Sequence, residues 1–299
     1  MRVLVTGAGG FVGRHLVSAL DSAGHEVIAQ SRNSRHTSAS VVRTIDEVNL
    51  ADVDSIVHLA GIAHAGVGEA SKKALFEFNV DNTLTLYDKA LDAKVPKFIW
   101  LSSSKVLGDT SAKPLAVDAP YNPGDAYAES KVQAEQGLLQ LNGDSLDIIR
   151  PPLVYGPEVK ANFLSLLKIA LSGMPLPLGK ANGPRAWVAV ANLNSLVLRL
   201  LTERTTRCVW HVRDEEETSV ANLLRRIRSV GGFKHRLLGV PEGLLRVGAS
   251  ILGRSGDADR LFAPLRLEIE ETCQALDWQP PVSQSDAIRD VVSWYQKQF

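Results

Sequence analysis

The stretch "RVLVTGAGGFVGRHLVSAL", Arg2 to Leu20, constrains the fold more than any other part of the chain. An apolar, β-branched run leads into glycines at 7, 10 and 13, and an amphipathic helical pattern opens directly behind them. Strand, glycine turn and helix in that order form a cradle for a dinucleotide. Gly7 permits the tight turn, Gly10 lets the backbone approach a pyrophosphate, and Gly13 allows close packing of helix on sheet. The helix N-terminus then offers amide donors and a partial positive charge to phosphate oxygens.

The same alternation continues. "EVIAQ" (26–30), "SIVHLA" (55–60), "FIWLSS" (98–103) and "LDIIR" (146–150) are short, nearly continuous apolar runs, separated by long amphipathic segments such as "KKALFEFNVDNTLTLYDKALDA" and "AYAESKVQAEQGLLQL". Such runs suit strands covered on both faces, and strand–helix alternation implies a parallel sheet. The expected fold class is α/β: a Rossmann doubly wound parallel sheet with a smaller, mostly helical C-terminal lobe. Residues 1–150 read as the dinucleotide-binding domain. Residues 151–299 read as a substrate lobe, from which strands such as "AWVAV" and "CVWHV" could return to the main sheet.

Charge and composition exclude several classes. The 33 basic and 33 acidic residues balance and are spread along the chain, so nucleic acid is not an expected partner. The two cysteines, Cys208 and Cys273, show no metal-ligand or disulfide spacing, and no metal site is expected. No run approaches the ~20 apolar residues of a membrane span. With the first strand starting at residue 2, the expected location is cytoplasmic.

At the end of the second strand, an acid would bond the ribose 2′-hydroxyl of NAD, whereas an arginine favours the 2′-phosphate of NADP. Ser31 and Arg32 stand there, so NADP(H) is favoured over NAD(H). Arg32 stacked on an adenine would be compatible with either.

"DAYAESKVQAE" places Tyr127 and Lys131 one helical turn apart, on one face. Taken alone, the pair also suits a half-buried aromatic beside a solvated charge. Ser102 and Ser103 lie at the end of the preceding strand, whose carboxyl end faces the cofactor crevice in a doubly wound sheet.

With "TGAGGFVG", "HLAG", "NVDNT", "SSSKVLG", "YAESK" and "RPPLVYGP", the chain resembles the extended short-chain dehydrogenase/reductase family, in its branch of nucleotide-sugar epimerases, dehydratases and 4-ketoreductases. The resemblance is strongest over residues 1–190. It implies catalysis by Ser103, Tyr127 and Lys131: the serine orients the reacting sugar oxygen, the tyrosine exchanges its proton, and the lysine holds the nicotinamide ribose. It also implies cofactor contacts at Gly7, Gly10, Phe11, Val12, Gly13, Ser31, Arg32, Ala60, Tyr127, Lys131 and Pro151. A phenol near pKa ~10 is a poor base at neutral pH, and lowering it by about three units asks for roughly 4 kcal/mol. The Lys131 ammonium and a cationic nicotinamide are the expected source. Asn79 matches the family's helix asparagine, with a structural role equally open.

Substrate contacts implied by the resemblance are Ser103, Tyr127, Asn162, Arg185 and Arg260. Asn162 also suits a helix N-cap and Arg260 a solvated helix charge. His64 is left without a role. Leu107 and Asn82 depart from the family pattern without removing a reacting group. Ser104 and Lys105 stand where sugar 4,6-dehydratases carry an acid pair, which argues against water elimination. "RPPLVYGPEVKANF" with "PLPLG" is similar to a bacterial subgroup acting on UDP-linked N-acetylated 6-deoxy sugars for surface polysaccharides. The leading expectation is therefore a UDP-sugar 4-ketoreductase. A UDP-hexose 4-epimerase with tightly bound NAD is the alternative, and a non-catalytic cofactor sensor is a third reading. Relatives commonly form homodimers through the two long helices holding Asn79 and Tyr127; Leu84, Leu86, Leu91, Leu138 and Leu139 leave core and interface faces undistinguished.

Overall fold

The structure, a computed structural model, describes residues 1–31, 39–63, 68–141, 144–203, 208–245 and 262–298. Seven strands form the main sheet: β1 (Arg2–Thr6), β2 (Glu26–Gln30), β3 (Ser40–Val42), β4 (Ser55–His58), β5 (Lys97–Leu101), β7 (Leu146–Arg150) and β11 (Val209–His211). Their spatial order is β11-β7-β5-β4-β1-β2-β3, and every neighbouring pair is parallel. The order reverses between β1 and β4, which opens a crevice beyond their carboxyl ends.

Side-chain alternation explains why these strands read as continuous apolar runs. Val3, Val5, Val57, Ile99 and Ile149 pack on one face with Leu16, Val17 and Leu20 of α1 (Phe11–Ser22) and Leu193, Leu196 and Leu200 of α6 (Val190–Thr202). Leu4, Ile56, Phe98, Trp100 and Ile148 pack on the other. There they meet Leu86 and Tyr87 of α3 (Asn82–Asp92) and Ala134 and Leu138 of α4 (Ala126–Gln140). Both faces are buried, so polar alternation has no place in the strands.

One long helical segment departs from regularity. α2 (Glu69–Phe76) passes into α3 through a π-helical turn at Glu77–Asp81, which contains Asn79. π-Turns inside helices frequently sit at functional positions.

The second lobe holds more sheet than its sequence suggests. β6 (Ser111–Leu115), β9 (Pro184–Arg185), β12 (Thr218–Ser219) and β13 (Leu265–Leu267) form a four-stranded sheet in the order β12-β9-β13-β6. β8 (Leu153–Tyr155) pairs with β10 (Trp187–Ala189). Around them pack α5 (Ala161–Leu171), α7 (Val220–Val230) and α9 (Gln284–Gln298), with the short α8 (Glu270–Leu276) set against the main sheet's core through Leu276. α6 and β11, although beyond residue 151, belong to the main sheet layer.

Candidate active site

Gly7 ends β1 with φ +67°, and a Cβ there would lie 2.8 Å from the Ala60 amide nitrogen. The turn thus brings the loops after β1 and β4 into contact at the switch point. Gly13 lies so close to the Gly7 carbonyl and Ala8 that no side chain fits. Gly10 is the N-cap of α1 and supplies no capping side chain, so the first turn keeps its amide donors for a ligand. A loop of bare backbone facing a helix N-terminus is the donor set a dinucleotide pyrophosphate requires. Phe11 and Val12 open α1, and Arg14 and His15 tie it to the loop after β8, through Glu158 at 2.8 Å and the Pro157 carbonyl at 2.9 Å.

Ser31 follows β2 and is buried, with its Oγ 2.6 Å from where a Gly9 Cβ would stand. The β2 end therefore presents a small hydroxyl against the glycine loop. Beside it the Gln30 Oε1 accepts from the Gly7 amide at 3.3 Å. Arg32, expected to hold a 2′-phosphate, lies outside the described residues, as do His64 and Arg260.

Ser103, Tyr127 and Lys131 converge at the carboxyl end of β5. Ser103 caps the short helical turn Ser104–Leu107, its Oγ accepting from the Lys105 amide at 3.2 Å. The Tyr127 phenol lies near enough to the Ser103 hydroxyl for that group to favour its ionised form. Lys131 is buried; its Nζ donates to the Leu101 carbonyl at 2.8 Å and lies 4.4 Å from the centre of the Trp100 ring. Pro151, just past β7, accepts from the Ser104 amide at 2.9 Å and so borders the same site.

Electrostatics here differ from the expectation. Burial pushes the Tyr127 phenol up to about 12, with the Asp125 carboxylate acting the same way and the Ser103 hydroxyl opposing both. Lys131 does not pull it down, because its ammonium is directed at Leu101. Burial lowers Lys131 itself to about 8, against an opposing pull from Glu135 one helical turn further on. Without a ligand, the phenol is a proton donor rather than a base.

Asn79 is buried in the π-turn. Its Oδ1 accepts from the Ile62 amide at 2.8 Å, and its Nδ2 donates to the Ile62 carbonyl and the Ser130 Oγ, both at 3.0 Å. It pins the loop after β4 to the helix carrying Lys131. Gly61 lies between them: a Cβ there would be 3.5 Å from both the Asn79 Oδ1 and the Lys131 Nζ.

Two arrangements had no counterpart in the sequence reading. Lys105 pairs with the carboxylate of Asp125, the N-cap of α4, lies 3.6 Å from Asp109, and sits 5.8 Å from the centre of the Tyr127 ring. Below the site, Glu135 is fully buried against the Arg150 guanidinium and accepts from the Ser102 hydroxyl, while Tyr121 donates to its Oε2 at 2.9 Å.

In the second lobe, Asn162 is exposed in the first turn of α5 and is not its N-cap. Lys160 takes that position and supplies no side-chain cap, which corrects the capping alternative. Arg185 lies on β9, and its guanidinium donates to the Ala263 carbonyl at 2.5 Å. β9 abuts β13, which pairs with β6, the strand following the Ser103 loop.

Residues 3–210 match the NAD dependent epimerase/dehydratase family. The chain belongs to that family. It is a family of NAD-dependent nucleotide-sugar enzymes of the extended short-chain dehydrogenase/reductase type. Among its relatives, a Vibrio cholerae protein named UDP-glucose 4-epimerase is 30% identical over 305 residues, covering 96% of this chain and 93% of that one. A Methanocaldococcus jannaschii protein named putative UDP-glucose 4-epimerase is 25% identical, covering 98% and 97%. Two Bacillus cereus structures share the fold. UDP-N-acetylglucosamine 4-epimerase has a TM-score of 0.80 at 17% identity, covering 99% of each chain. UDP-glucuronic acid 4-epimerase in complex with NAD has a TM-score of 0.79 at 20% identity, covering 100% of this chain. Among the described residues, no helix is long and apolar enough to cross a membrane.

Proposed function

We propose that the protein is an NADP(H)-favouring 4-ketoreductase of a UDP-linked sugar, acting on a 4-keto-6-deoxy-N-acetylhexosamine in surface polysaccharide synthesis. In this reading residues 1–150, with the returning α6–β11 unit, hold the dinucleotide, and the remainder of 151–299 holds the nucleotide sugar. The observation that carries it is the convergence of Ser103, Tyr127 and Lys131 at the end of β5, with the phenol pushed up by burial and so held protonated. A bound nicotinamide supplies the hydride exchanged at C4 of the sugar. Tyr127 donates its proton to the C4 oxygen, Ser103 orients that oxygen, and Lys131 positions the nicotinamide ribose. Ser104 is buried and Lys105 is cationic, so neither position offers the carboxylate that elimination of water needs. Asn162, Arg185 and Arg260 are assigned to the nucleotide diphosphate; an arginine fork suits phosphate oxygens. The small Ser31 at the end of β2 presents no carboxylate to repel a 2′-phosphate.

The 4-epimerase reading draws support from the name of the Vibrio cholerae relative. It uses the same residues in both directions and requires the phenolate for the oxidative half. Purified protein given NADPH and a UDP-4-keto-6-deoxy-N-acetylhexosamine should consume NADPH stoichiometrically with sugar reduced at C4. Tightly retained NAD, interconversion of C4 epimers and no net NADPH consumption would replace the reductase by the epimerase.

We infer a homodimer through α2–α3 and α4. Leu86 and Leu138 are core, whereas Leu139 and Phe78 are exposed on these helices, as is Leu141 at the C-cap of α4. A monomeric mass in light scattering at micromolar concentration would refute it.

A further inference from the structure

Although the whole chain is neutral, its acids are unevenly placed. No Asp or Glu occurs between Glu158 and Glu203, and none between Glu217 and Glu242. The fold lays parts of these two stretches side by side. The Leu176 amide donates to the Arg236 carbonyl at 2.9 Å, the Leu238 amide to the Leu176 carbonyl at 2.7 Å, and the Gly179 amide to the Leu238 carbonyl at 2.9 Å. Arg228 on α7 is fully buried and laces the two together by donating to the carbonyls of Ala170 and Met174.

Leu176 and Leu237 turn towards the core of the second lobe, and Lys180 lies over the neighbouring segment, its Cε 3.6 Å from where a Cβ of Gly239 would stand. Lys180, Lys234 and Arg236 are exposed there. With them stand Met174 and Leu238, at 60% and 53% exposure. Single exposed apolar side chains are ordinary on any protein surface. What distinguishes this face is that Met174 and Leu238 stand among cations, with buried Arg228 beneath adding a positive charge answered by carbonyls. Arg236 is close enough to weaken Arg228's hold on its proton, secondary to burial.

We propose that this face of the second lobe docks on the surface of an anionic lipid bilayer. Lysine and arginine heads reach phosphate groups while their stems lie along apolar surface. Met174 and Leu238 enter the boundary between headgroups and chains, the arrangement by which peripheral proteins combine apolar burial with attraction to anionic lipid. A single-stranded nucleic acid would use aromatic stacking platforms instead. The one aromatic in these stretches near the face, Phe233, is partly buried against the lobe's core. This inference is independent of which sugar reaction the protein catalyses.

Sedimentation of the full chain with vesicles tests it. Vesicles rich in phosphatidylglycerol should carry the protein down at low salt, pure phosphatidylcholine vesicles should not, and raised salt should weaken the association. A Lys180→Glu/Lys234→Glu/Arg236→Glu variant should lose at least about 100-fold in partitioning, taking roughly a factor of five per cation removed. Met174→Ser/Leu238→Ser should lose several-fold on the same vesicles while retaining its mass in solution. Equal recovery with both lipids, or none with either, overturns the proposal; both readings use the wild-type chain and do not depend on a variant folding. Binding to single-stranded RNA as tight as to vesicles, insensitive to the serine substitutions, overturns it in favour of a polyanion site. A fall in mass on serine substitution overturns it in favour of self-association.

Discussion

Lys105 and Asp125 form an ion pair that joins the loop bearing Ser103 to the first turn of the helix bearing Tyr127. Asp125 has two tasks there: its Oδ1 caps α4 by accepting from the Ala128 amide at 2.8 Å, and its charge raises the Tyr127 phenol. The Lys105 ammonium opposes that charge and holds the two loops in register.

Lys105→Gln should therefore lower kcat about tenfold through a misplaced and less acidic phenol. Affinity for NADPH should be unchanged, because the glycine loop is untouched. Stability should fall by no more than ~1 kcal/mol, since the pair is partly exposed. Asp125→Asn keeps a capping side chain, so the double variant should recover part of the lost turnover. Steady-state kinetics on the four proteins of the cycle check this; strictly additive losses would show that the pair does not couple to catalysis.

Tyr127→Phe removes the proton donor and leaves the ring. Turnover should fall by 10²–10⁴-fold, the usual contribution of a positioned acid. NADPH titration followed by fluorescence should still give near wild-type affinity. Full turnover in this variant would revive the reading of a protein whose tyrosine is not catalytic.

Much of this fold was legible because its signals are local. Gly7 follows an apolar run and precedes an amphipathic helix within a few residues, and strands buried on both faces must be apolar throughout. The small sheet was not legible. β6 contains Lys113 and Pro114 with exposed side chains, and β9 and β12 are two residues each, too short for any periodicity. At the site, motif spacing brought Ser103 and Tyr127 together on paper as they are in space. The ligand-free phenol's acidity was not legible in the motif, because it depends on burial and on Asp125, while the Lys131 ammonium is directed at Leu101. Lys105 was read only as a missing acid, since its partner Asp125 lies across two loops. The acid-free stretches were equally concealed, by a net charge that averages to zero.

Lys131 costs stability in order to be where it is. Its pKa falls from the model-peptide value of 10.5 to about 8 on burial. Between those values the unfolded chain binds a proton that the folded chain does not, so stability should rise with pH, by roughly 1.4 kcal/mol per pH unit. Lys131→Met should remove that slope and match or exceed the wild type in urea midpoint at pH 7, while abolishing turnover. A variant less stable than wild type at every pH would mean that the hydrogen bond to Leu101 outweighs the burial penalty.

His58 sets the opposite limb. It is buried at the end of β4, with Nδ1 2.6 Å from the Thr6 Oγ1 and Nε2 3.0 Å from the Thr83 Oγ1. In neutral His58 one ring nitrogen donates to a threonine hydroxyl and the other accepts from one, and the Thr6 hydroxyl also accepts from the Ala60 amide at 3.3 Å. Neutral His58 thus fills both positions, and burial, assisted by the Lys131 charge, lowers its pKa from 6.5 to about 3. As pH falls below 6.5 the unfolded chain gains a proton that folded His58 refuses. Stability should therefore decline by roughly 1.4 kcal/mol per pH unit. Buried His211, lowered to about 4, adds to the same limb. Urea midpoints from pH 7 down to pH 5 should show His58→Gln less stable than wild type at neutral pH but shallower in its decline. Parallel declines for the two proteins would show that this histidine does not govern the acid limb, leaving His211 to account for it.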